Sequence, residues 1–337
     1  MSYTDEVITL AHGGGGRFYH QLVEEVFLPI FDNAYLRQLN DSALCPSFGT
    51  ALAMTTDSYV VQPRFFPGGD IGRLAVCGTV NDLTMSGAKP AYLSVGMILE
   101  AGLPIAELRR ICESMAAAAK EAGVSLVTGD TKVVEKGKGD GIYINTAGIG
   151  LFPEGKKACP QKIQAGDSIL VSGTIGDHGL CILAARERLE FDPPLRSDAA
   201  PLHDLAAAVQ KAVPDIHAMR DPTRGGVASV ANEWCGNGLS IEIAEEALPL
   251  SASVSAVAGI LGLDPLYVAN EGKFMLAVSE SDTEAALRAL RSHPLGENAA
   301  VIGWVVEDGR GLAYVRTPYG SQRLLDLPYA EQLPRIC

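Results

Sequence analysis

The sequence lacks the cysteine pairs that mark a zinc cluster or a disulfide framework. Seven cysteines are spread over 337 residues, none of them forms a Cys-x-x-Cys pair, and an odd number leaves one unpaired. They stand at positions 45, 77, 112, 159, 181, 235 and 337. We therefore expect reduced thiols, which are typical of a cytoplasmic protein.

Long hydrophobic runs and an excess of positive charge are missing too. The longest nearly apolar run, 252–263, is shorter than the roughly 20 residues that span a bilayer, and the first ten residues carry acids where a signal peptide would carry bases. With 27 basic and 40 acidic residues the net charge is −13, which disfavours binding to nucleic acid or anionic membranes. Any bound phosphate therefore needs a local site.

Neither of the two commonest phosphate-binding motifs is present. There is no Gly-x-x-x-x-Gly-Lys-Ser/Thr segment and no strand-linked Gly-x-Gly-x-x-Gly segment, so neither a P-loop nor a Rossmann site is supported. Four consecutive glycines do occur, Gly13, Gly14, Gly15 and Gly16. Without a Cβ atom their backbone can take positive φ and bring amides close to phosphate oxygens. A flexible surface loop explains the same run equally well.

Length and periodicity indicate two domains. A chain of 337 residues suits two domains of roughly 150 residues each. A helix is predicted over 105–122 with Gly123 at its end, another covers 74–83, and a Pro-, Gly- and Lys-rich segment over 152–166 separates the halves. Further helices are predicted over 201–213, 227–235 and 282–292, and strands over 50–61, 91–99, 124–128, 142–151, 168–172, 273–278, 300–306 and 312–317.

Three aspartates stand at positions that suggest a metal site. Asp57 closes a predicted strand, Asp130 follows the strand over 124–128, and Asp82 lies beside Asn81 on a mainly apolar helix. A carboxylate on such a helix is costly unless a cation or donors compensate it. Each aspartate alone also fits a cap or a turn. Together, with no His or Cys grouped beside them, they predict a hard-cation site, and Mg²⁺ shared with phosphates fits best.

The second half adds three candidate segments. Glycines are combined with charged or hydroxyl groups in 173–179 and in 221–226, which contains Thr223 and Arg224 and leads into a predicted helix whose N-terminus favours anions. Glu271 precedes a predicted strand. Tight turns and a solvated charged turn are the alternatives for these segments.

The chain ends in Cys337, with Arg335 two residues before it. A nearby guanidinium favours the thiolate, whereas the terminal carboxylate opposes it. A mobile terminal thiol is a chemically plausible carrier of an acyl group. An incidental exposed thiol is the alternative.

Taken together, these segments resemble the HypE family of hydrogenase expression/formation proteins, within the wider aminoimidazole-ribonucleotide synthetase-like (PurM-like) superfamily. The match runs over nearly the whole chain. Its most specific parts are 12–16, 66–90, 129–134, 219–226, 270–273 and 334–337.

The resemblance implies an α+β architecture of two domains, each a mainly antiparallel β-sheet backed by helices. We expect an N-terminal domain over 1–155 that binds ATP and pairs into a homodimer, a C-terminal domain over 156–326, and a flexible tail over 327–337 that ends in Cys337. The cofactors implied are ATP and Mg²⁺.

The resemblance also implies a reaction and its partners. A HypF-type carbamoyltransferase would load Cys337 with a carbamoyl group, which ATP-dependent dehydration would convert to a thiocyanate. The cyanide would then pass to iron within a HypC–HypD complex for a nickel-iron hydrogenase. By resemblance, Lys132 and Glu271 act as bases, Asp57, Asp82 and Asp130 bind metal, and Gly13, Gly14, Gly15, Gly16, Asn81, Thr223 and Arg224 bind the nucleotide.

Two rival hypotheses remain at this point. Another enzyme of the superfamily, such as selenophosphate synthetase or thiamine-monophosphate kinase, would share the aspartates and glycines but would leave the terminal cysteine unexplained. A non-catalytic nucleotide-binding scaffold for metallocentre assembly is the alternative from a different class.

Overall fold

The protein's structure is a computed structural model that describes residues 16–22, 24–25, 37, 39, 43–45, 51–152, 162–327 and 335–337. Two mixed sheets dominate it, one of five strands from the first half of the chain and one of seven from the second. Most neighbouring strands are antiparallel, and helices pack on the sheets. The predicted α+β class with mainly antiparallel sheets is therefore confirmed.

The first sheet is open on one face. Its strand order is β1-β2-β7-β5-β6, and only β5 and β6 run parallel. Its strands are β1 (Ala43–Cys45), β2 (Leu52–Tyr59), β5 (Lys89–Glu100), β6 (Ser125–Val134) and β7 (Ile142–Leu151), and a separate pair is formed by β3 (Phe65–Phe66) and β4 (Gly69–Asp70). The helices of this half are α1 (Arg17–Leu22), α2 (Ile71–Met85) and α3 (Ile105–Glu121).

Helix α2 lies at the centre of the molecule. It begins at Ile71 because the Asp70 carboxylate accepts hydrogen bonds from the backbone amides of Gly72 (2.7 Å) and Arg73 (3.1 Å), which caps the helix. Nearly all of its residues are buried, as expected for a helix that is apolar on every side. The helix predicted over 74–83 is thus confirmed and is longer than predicted.

The second sheet has the order β14-β13-β10-β12-β8-β11-β9, and only β10 and β13 run parallel. Its strands are β8 (Ser168–Val171), β9 (Ala218–Arg220), β10 (Leu239–Ala244), β11 (Met275–Val278), β12 (Ala300–Glu307), β13 (Ala313–Arg316) and β14 (Gln322–Leu324). The helices of this half are α4 (Asp177–Glu187), α5 (His203–Ala212), α6 (Gly226–Glu233), α7 (Ala252–Leu261) and α8 (Thr283–Arg291).

One apolar core joins the two halves. It combines Leu74 and Val80 of α2 with Leu180 of α4 and Val254 of α7, and it also takes in Ile336 near the C-terminus. The predicted boundaries at 155 and 326 stay predictions, because 153–161 and 328–334 lie outside the described residues.

The prediction that Asp130 follows a strand ending at 128 is wrong. Strand β6 continues to Val134, and Asp130 lies inside it. The cause is Gly129, which reads as a strand end in sequence. In the structure a Cβ at Gly129 would meet the carbonyl oxygen of Val95, so the glycine permits close pairing with β5 instead of ending the strand.

None of the described helices combines the length and apolar composition that crossing a membrane requires.

Two helical glycines test the packing of α2. A Cβ at Gly78 would collide with the Tyr59 hydroxyl, whereas a Cβ at Gly259 in α7 meets nothing within 4 Å. We expect Gly78→Ala to lower the free energy of unfolding by about 1–3 kcal/mol through overpacking. Gly259→Ala should raise it by about 0.5–1 kcal/mol, because alanine favours a helix. Urea unfolding followed by circular dichroism measures both changes. Equal changes in the two variants would contradict the close packing of Tyr59 against Gly78.

Candidate functional site

Two acids of the first half lie together on the helix-covered side of the first sheet. Asp57 is on β2, and Asp82 projects from α2. The Thr55 hydroxyl donates a hydrogen bond of 2.8 Å to Asp82, which ties the helix carboxylate to the strand that carries Asp57. Both carboxylates are half-buried, and so they remain accessible to a ligand.

The second half contributes a cation and two buried acids to this place. The Arg224 guanidinium lies 3.9 Å from Asp57, and Asp221 precedes it in the loop that leads into α6. Burial, reinforced by the nearby charges of Asp57 and Asp221, raises the pKa of Glu271 well above its ordinary value, although Arg224 opposes this. Burial, with a contribution from Asp57, likewise raises the pKa of Asp221 to about 6. We call Asp57, Asp82, Asp221 and Glu271 the carboxylate cluster.

The carboxylate cluster is crowded with negative charge. Buried carboxylates are costly without compensation, and the charges of Arg224 near Asp57 and Arg220 near Asp221 compensate them only in part, since the pKa values of Asp221 and Glu271 stay raised. Oxygen ligands in this number suit a hard divalent cation. In the part of the chain that the structure describes, no three His, Cys, Asp or Glu side chains are already close enough to hold a metal ion by themselves.

Asn81 holds the Glu271 loop in place. Its side-chain amide donates to the carbonyls of Ala200 and Glu271, both at 3.1 Å, and its oxygen accepts from the Leu202 amide at 2.8 Å. The side chain is 1 % exposed. These three backbone contacts occupy its polar atoms, so its observed role is to join the two halves beside the site.

A buried ion pair supports Glu271 from the other side. Asp198 accepts from the Glu271 amide at 3.1 Å and lies 3.3 Å from the Lys273 ammonium group. Burial opposes the ionisation of Asp198, but the Lys273 charge and the hydrogen bond from the Glu271 amide outweigh it and lower its pKa. No sequence pattern pointed to Asp198. Asp221 was recognisable, since it opens the segment that contains Thr223 and Arg224.

Asp130 and Lys132 lie elsewhere in the same chain. Cross-strand pairing places Asp130 in a row with Gly96, Asn145 and Ser58, on the exposed face of the first sheet. Asp57 is on the opposite, helix-covered face and is three strands away, which is roughly 14 Å. A single chain therefore does not bring Asp130 or Lys132 to the carboxylate cluster.

The predicted phosphate-binding residues are only partly described. Gly16 is buried and its carbonyl accepts from His20 at the start of α1, whereas Gly13, Gly14 and Gly15 lie outside the described residues. Thr223 is half-buried beside Arg224 in the loop before α6.

The C-terminal residues are docked next to the carboxylate cluster. The amides of Val60 and Gln62 donate to the carbonyls of Cys337 (3.0 Å) and Arg335 (3.1 Å), in the alternating pattern of an antiparallel bridge. Ile336 is buried between them, and Arg335 takes the left-handed conformation with φ of 58°. The backbone of Cys337 thus lies against Val60, three residues beyond Asp57 or about 10 Å along the strand.

The raised pKa of Asp221 predicts a pH-dependent gain in stability for Asp221→Asn. A carboxyl group whose pKa rises from about 4 to about 6 on folding favours the folded state below pH 4, and this contribution is lost as the pH rises through 6. At pH 7.5 the variant should therefore be more stable by an amount on the order of 2 kcal/mol.

Urea unfolding at pH 7.5 and pH 5 measures this effect. The advantage of Asp221→Asn should shrink by about 1 kcal/mol at pH 5. Glu113→Gln, at an exposed side chain on α3, is the control and should change the free energy of unfolding by under about 0.5 kcal/mol at both pH values. A variant less stable than the native protein at pH 7.5 would show that Asp221 is held as a favourable anion.

Comparison with known proteins places this site in a family. The chain matches the AIR synthase related protein models, the N-terminal domain over residues 39–152 and the C-terminal domain over 164–316. Carbamoyl dehydratase HypE of Cupriavidus necator is 52% identical over 332 residues, which covers 98% of this chain and 95% of that protein.

Two solved structures extend the likeness to the fold. HypE in complex with ATP superposes with a TM-score of 0.82 at 48% identity and covers 98% of this chain and 100% of that chain. The HypE–HypF complex gives a TM-score of 0.86 at 49% identity and covers 91% of this chain and 99% of that chain. With such identity over nearly its whole length, and with AIR synthase related domains in both halves, the chain belongs to the HypE family of hydrogenase maturation proteins.

Proposed function

We propose that this protein is an ATP-dependent carbamoyl dehydratase of nickel-iron hydrogenase maturation, and that Cys337 carries its substrate. The observation that carries the proposal is the docking of Cys337 on Val60, next to the carboxylate cluster. Relatives that are named carbamoyl dehydratase support the reaction, and the ATP complex of a solved relative supports the nucleotide.

The reaction removes one water from a carbamoyl group on the Cys337 sulfur. An amide oxygen is a poor leaving group, so ATP transfers its γ-phosphoryl group to this oxygen and ADP departs. The nitrogen loses one proton as the imidate forms. Phosphate then leaves with the second proton, and the carbon and nitrogen form the triple bond of a thiocyanate.

Glu271 is the base that the geometry favours within one chain. It is buried, and its pKa is well above the ordinary glutamate value, so it binds a proton more tightly than a surface carboxylate does. The Asn81 and Asp198 contacts fix its backbone on both sides. Asp221 neighbours it and is a further proton acceptor with a pKa of about 6.

The carboxylate cluster fits Mg²⁺ held jointly with ATP. Asp57 and Asp82 supply carboxylate oxygens, and the nucleotide phosphates would supply the others that the described residues do not. Bound magnesium would neutralise part of the phosphate charge. Arg224 and Thr223 stand before the N-terminus of α6, where they would contact the phosphates together with Gly13, Gly14, Gly15 and Gly16.

A homodimer would bring Asp130 and Lys132 into the reaction. They lie on the exposed face of the first sheet, which also carries Met54, Ile149 and Tyr92 in one cross-strand row, 50%, 37% and 53% exposed. An apolar row of this kind is typical of a protein interface. We infer that two copies pack on this face. Asp130 and Lys132 lie on the edge strand β6, and each copy's pair would reach around the edge of the partner's sheet to the partner's carboxylate cluster.

The partners follow from the two ends of the reaction. A HypF-type carbamoyltransferase supplies the carbamoyl group, and a solved HypE–HypF complex at 49% identity supports this pairing. A HypC–HypD complex receives the cyanide on iron. Both steps need the Cys337 thiol outside its docked position.

The carrier role predicts a defined series of masses on Cys337. After incubation with the carbamoyl donor, peptide mass spectrometry should find a carbamoyl adduct on residue 337, and ATP should then remove one water from it. Cys337→Ala should fold, bind ATP and show neither change. An adduct on Cys112, which is exposed, or an adduct that ATP leaves unaltered would favour a nucleotide-binding scaffold instead.

Mixed dimers test the shared site. Asp82→Asn and Asp130→Asn should each abolish ATP-dependent dehydration while leaving the fold intact. If Asp130 acts on the partner's cluster, mixing the two variants restores one complete site in each mixed dimer. Random exchange should then recover about one quarter of the native activity.

A second mixture provides the control for this experiment. Asp57→Asn and Asp82→Asn damage the same half of the site, so their mixed dimers have no complete site and stay inactive. Sedimentation should show a dimer for every variant at micromolar concentration. No recovery in the first mixture, with dimers present and shown to exchange, would place Asp130 in its own chain's site or outside the reaction.

A further inference from the structure

His178 is a buried histidine that has no role in the reaction proposed above. It lies in the first turn of α4, is 0 % exposed, and packs edge-on against Phe66 with ring centroids 5.7 Å apart. Both ring nitrogens are engaged. Nε2 lies 2.6 Å from the Ile336 carbonyl oxygen and Nδ1 lies 2.7 Å from the Ser197 hydroxyl.

The partners fix the direction of both hydrogen bonds. A carbonyl oxygen only accepts, so Nε2 carries the proton that binds Ile336. Burial lowers the pKa of His178, which favours the neutral ring; Nδ1 then accepts from Ser197. The neutral tautomer is thus selected by the docked tail on one side and by Ser197 on the other.

The same helix binds the tail at a second point. The Arg186 guanidinium donates hydrogen bonds to the Arg335 carbonyl (2.8 Å) and to the Gln62 carbonyl (3.1 Å). Arg186 therefore joins the tail to the segment on which the tail docks. Helix α4 therefore supplies donors to two successive tail carbonyls, those of Arg335 and Ile336. The Ile336 side chain is buried in the apolar core between these contacts.

His178 also lies on a continuous path to the proposed base. Ser197 is followed by Asp198, whose carboxylate accepts from the Glu271 amide at 3.1 Å and pairs with Lys273 at 3.3 Å. The tail carbonyl is therefore connected to the segment that holds Glu271 through the side chains of His178, Ser197 and Asp198. The tail also contacts the first half of the chain, at Val60, Gln62 and Asp140.

We propose that His178 is a positioning residue which, with Arg186, holds the C-terminal tail docked and so sets the place of Cys337 against Val60, at the edge of the proposed site. The significance of this position rests on the proposed function, whereas the docking itself can be measured without it. Loss of the His178 donor should raise the undocked fraction of the tail and expose the thiol.

Alkylation of Cys337 measures the undocked fraction directly. The native protein is treated with iodoacetamide, without nucleotide or carbamoyl donor, and the rate at residue 337 is followed by peptide mass spectrometry. Cys112 is exposed on α3 and serves as the reference thiol in the same digest. The ratio of the two rates removes differences in reagent and in total protein.

Three variants and one control test whether His178 and Arg186 hold the tail. His178→Phe keeps a ring against Phe66 but removes both hydrogen bonds, and the Cys337 rate should rise roughly tenfold, as for loss of one buried hydrogen bond. His178→Gln retains a donor near Nε2 and should return the rate toward the native value. Arg186→Gln should raise the rate severalfold. Arg109→Gln, at an exposed arginine on α3, is the matched control and should leave it unchanged.

The outcomes separate positioning from a role in folding. An unchanged Cys337 rate in both His178→Phe and Arg186→Gln would overturn the proposal. If His178→Phe also makes the buried Cys77 react, its fold is loosened. Arg186→Gln then decides alone, and an unchanged Cys337 rate in that variant overturns the proposal.

A kinetic split links the docking to the proposed reaction. In His178→Phe, carbamoylation of Cys337 should be as fast as in the native protein or faster, since the thiol is more exposed. ATP-dependent loss of water should fall roughly tenfold with an unchanged KM for ATP. Equal slowing of both steps would overturn a positioning role. If the native protein itself loses no water with ATP, the proposed function fails, while the alkylation result still decides the docking.

Discussion

The structure depends on the hydrogen-bonding demand of one amide in an apolar helix. Helix α2 is buried on nearly every side, and Asn81 is its fully buried polar side chain with an amide. A buried amide must find partners or cost roughly 1–3 kcal/mol, and Asn81 finds all three in backbone groups of the second half of the chain. This fixes the second half at one position against the first. Asp82, the next residue, accepts a hydrogen bond from Thr55 on the strand that carries Asp57.

The same geometry forces acids together. Asp57 and Asp82 lie near Asp221 and Glu271 at the junction of the two halves, and the pKa values of the two buried acids are raised although Arg220 and Arg224 oppose the shift. A fold selected for stability alone would have little reason to keep such a cluster. Its cost is understandable if a cation and a nucleotide complete the site, as in the function proposed above.

Local patterns in the sequence predicted several helices and strands of the fold. The helix at Ile105–Glu121 follows from apolar spacing and the Gly123 end, and the helix around Asn81 follows from its apolar run. Gly129 misled the prediction of β6, because a glycine that ends a strand and one that permits close pairing look alike in sequence. The site was recognisable where short motifs surround it, as for Asp57, Asp82, Arg224 and Glu271. Asp198 and the role of His178 were not, since their partners are distant along the chain and only packing brings them together.

The left-handed backbone of Arg335 bears on how long the tail can stay in place. A residue other than glycine in this region costs roughly 1–2 kcal/mol, and the carbonyl of this same residue is the one that the Gln62 amide binds. Docking therefore stores strain that undocking releases. In the function proposed above, the thiol must also leave this position to meet its partners. The strained residue keeps the two positions of the thiol nearer in free energy than the hydrogen bonds and the buried isoleucine alone would allow.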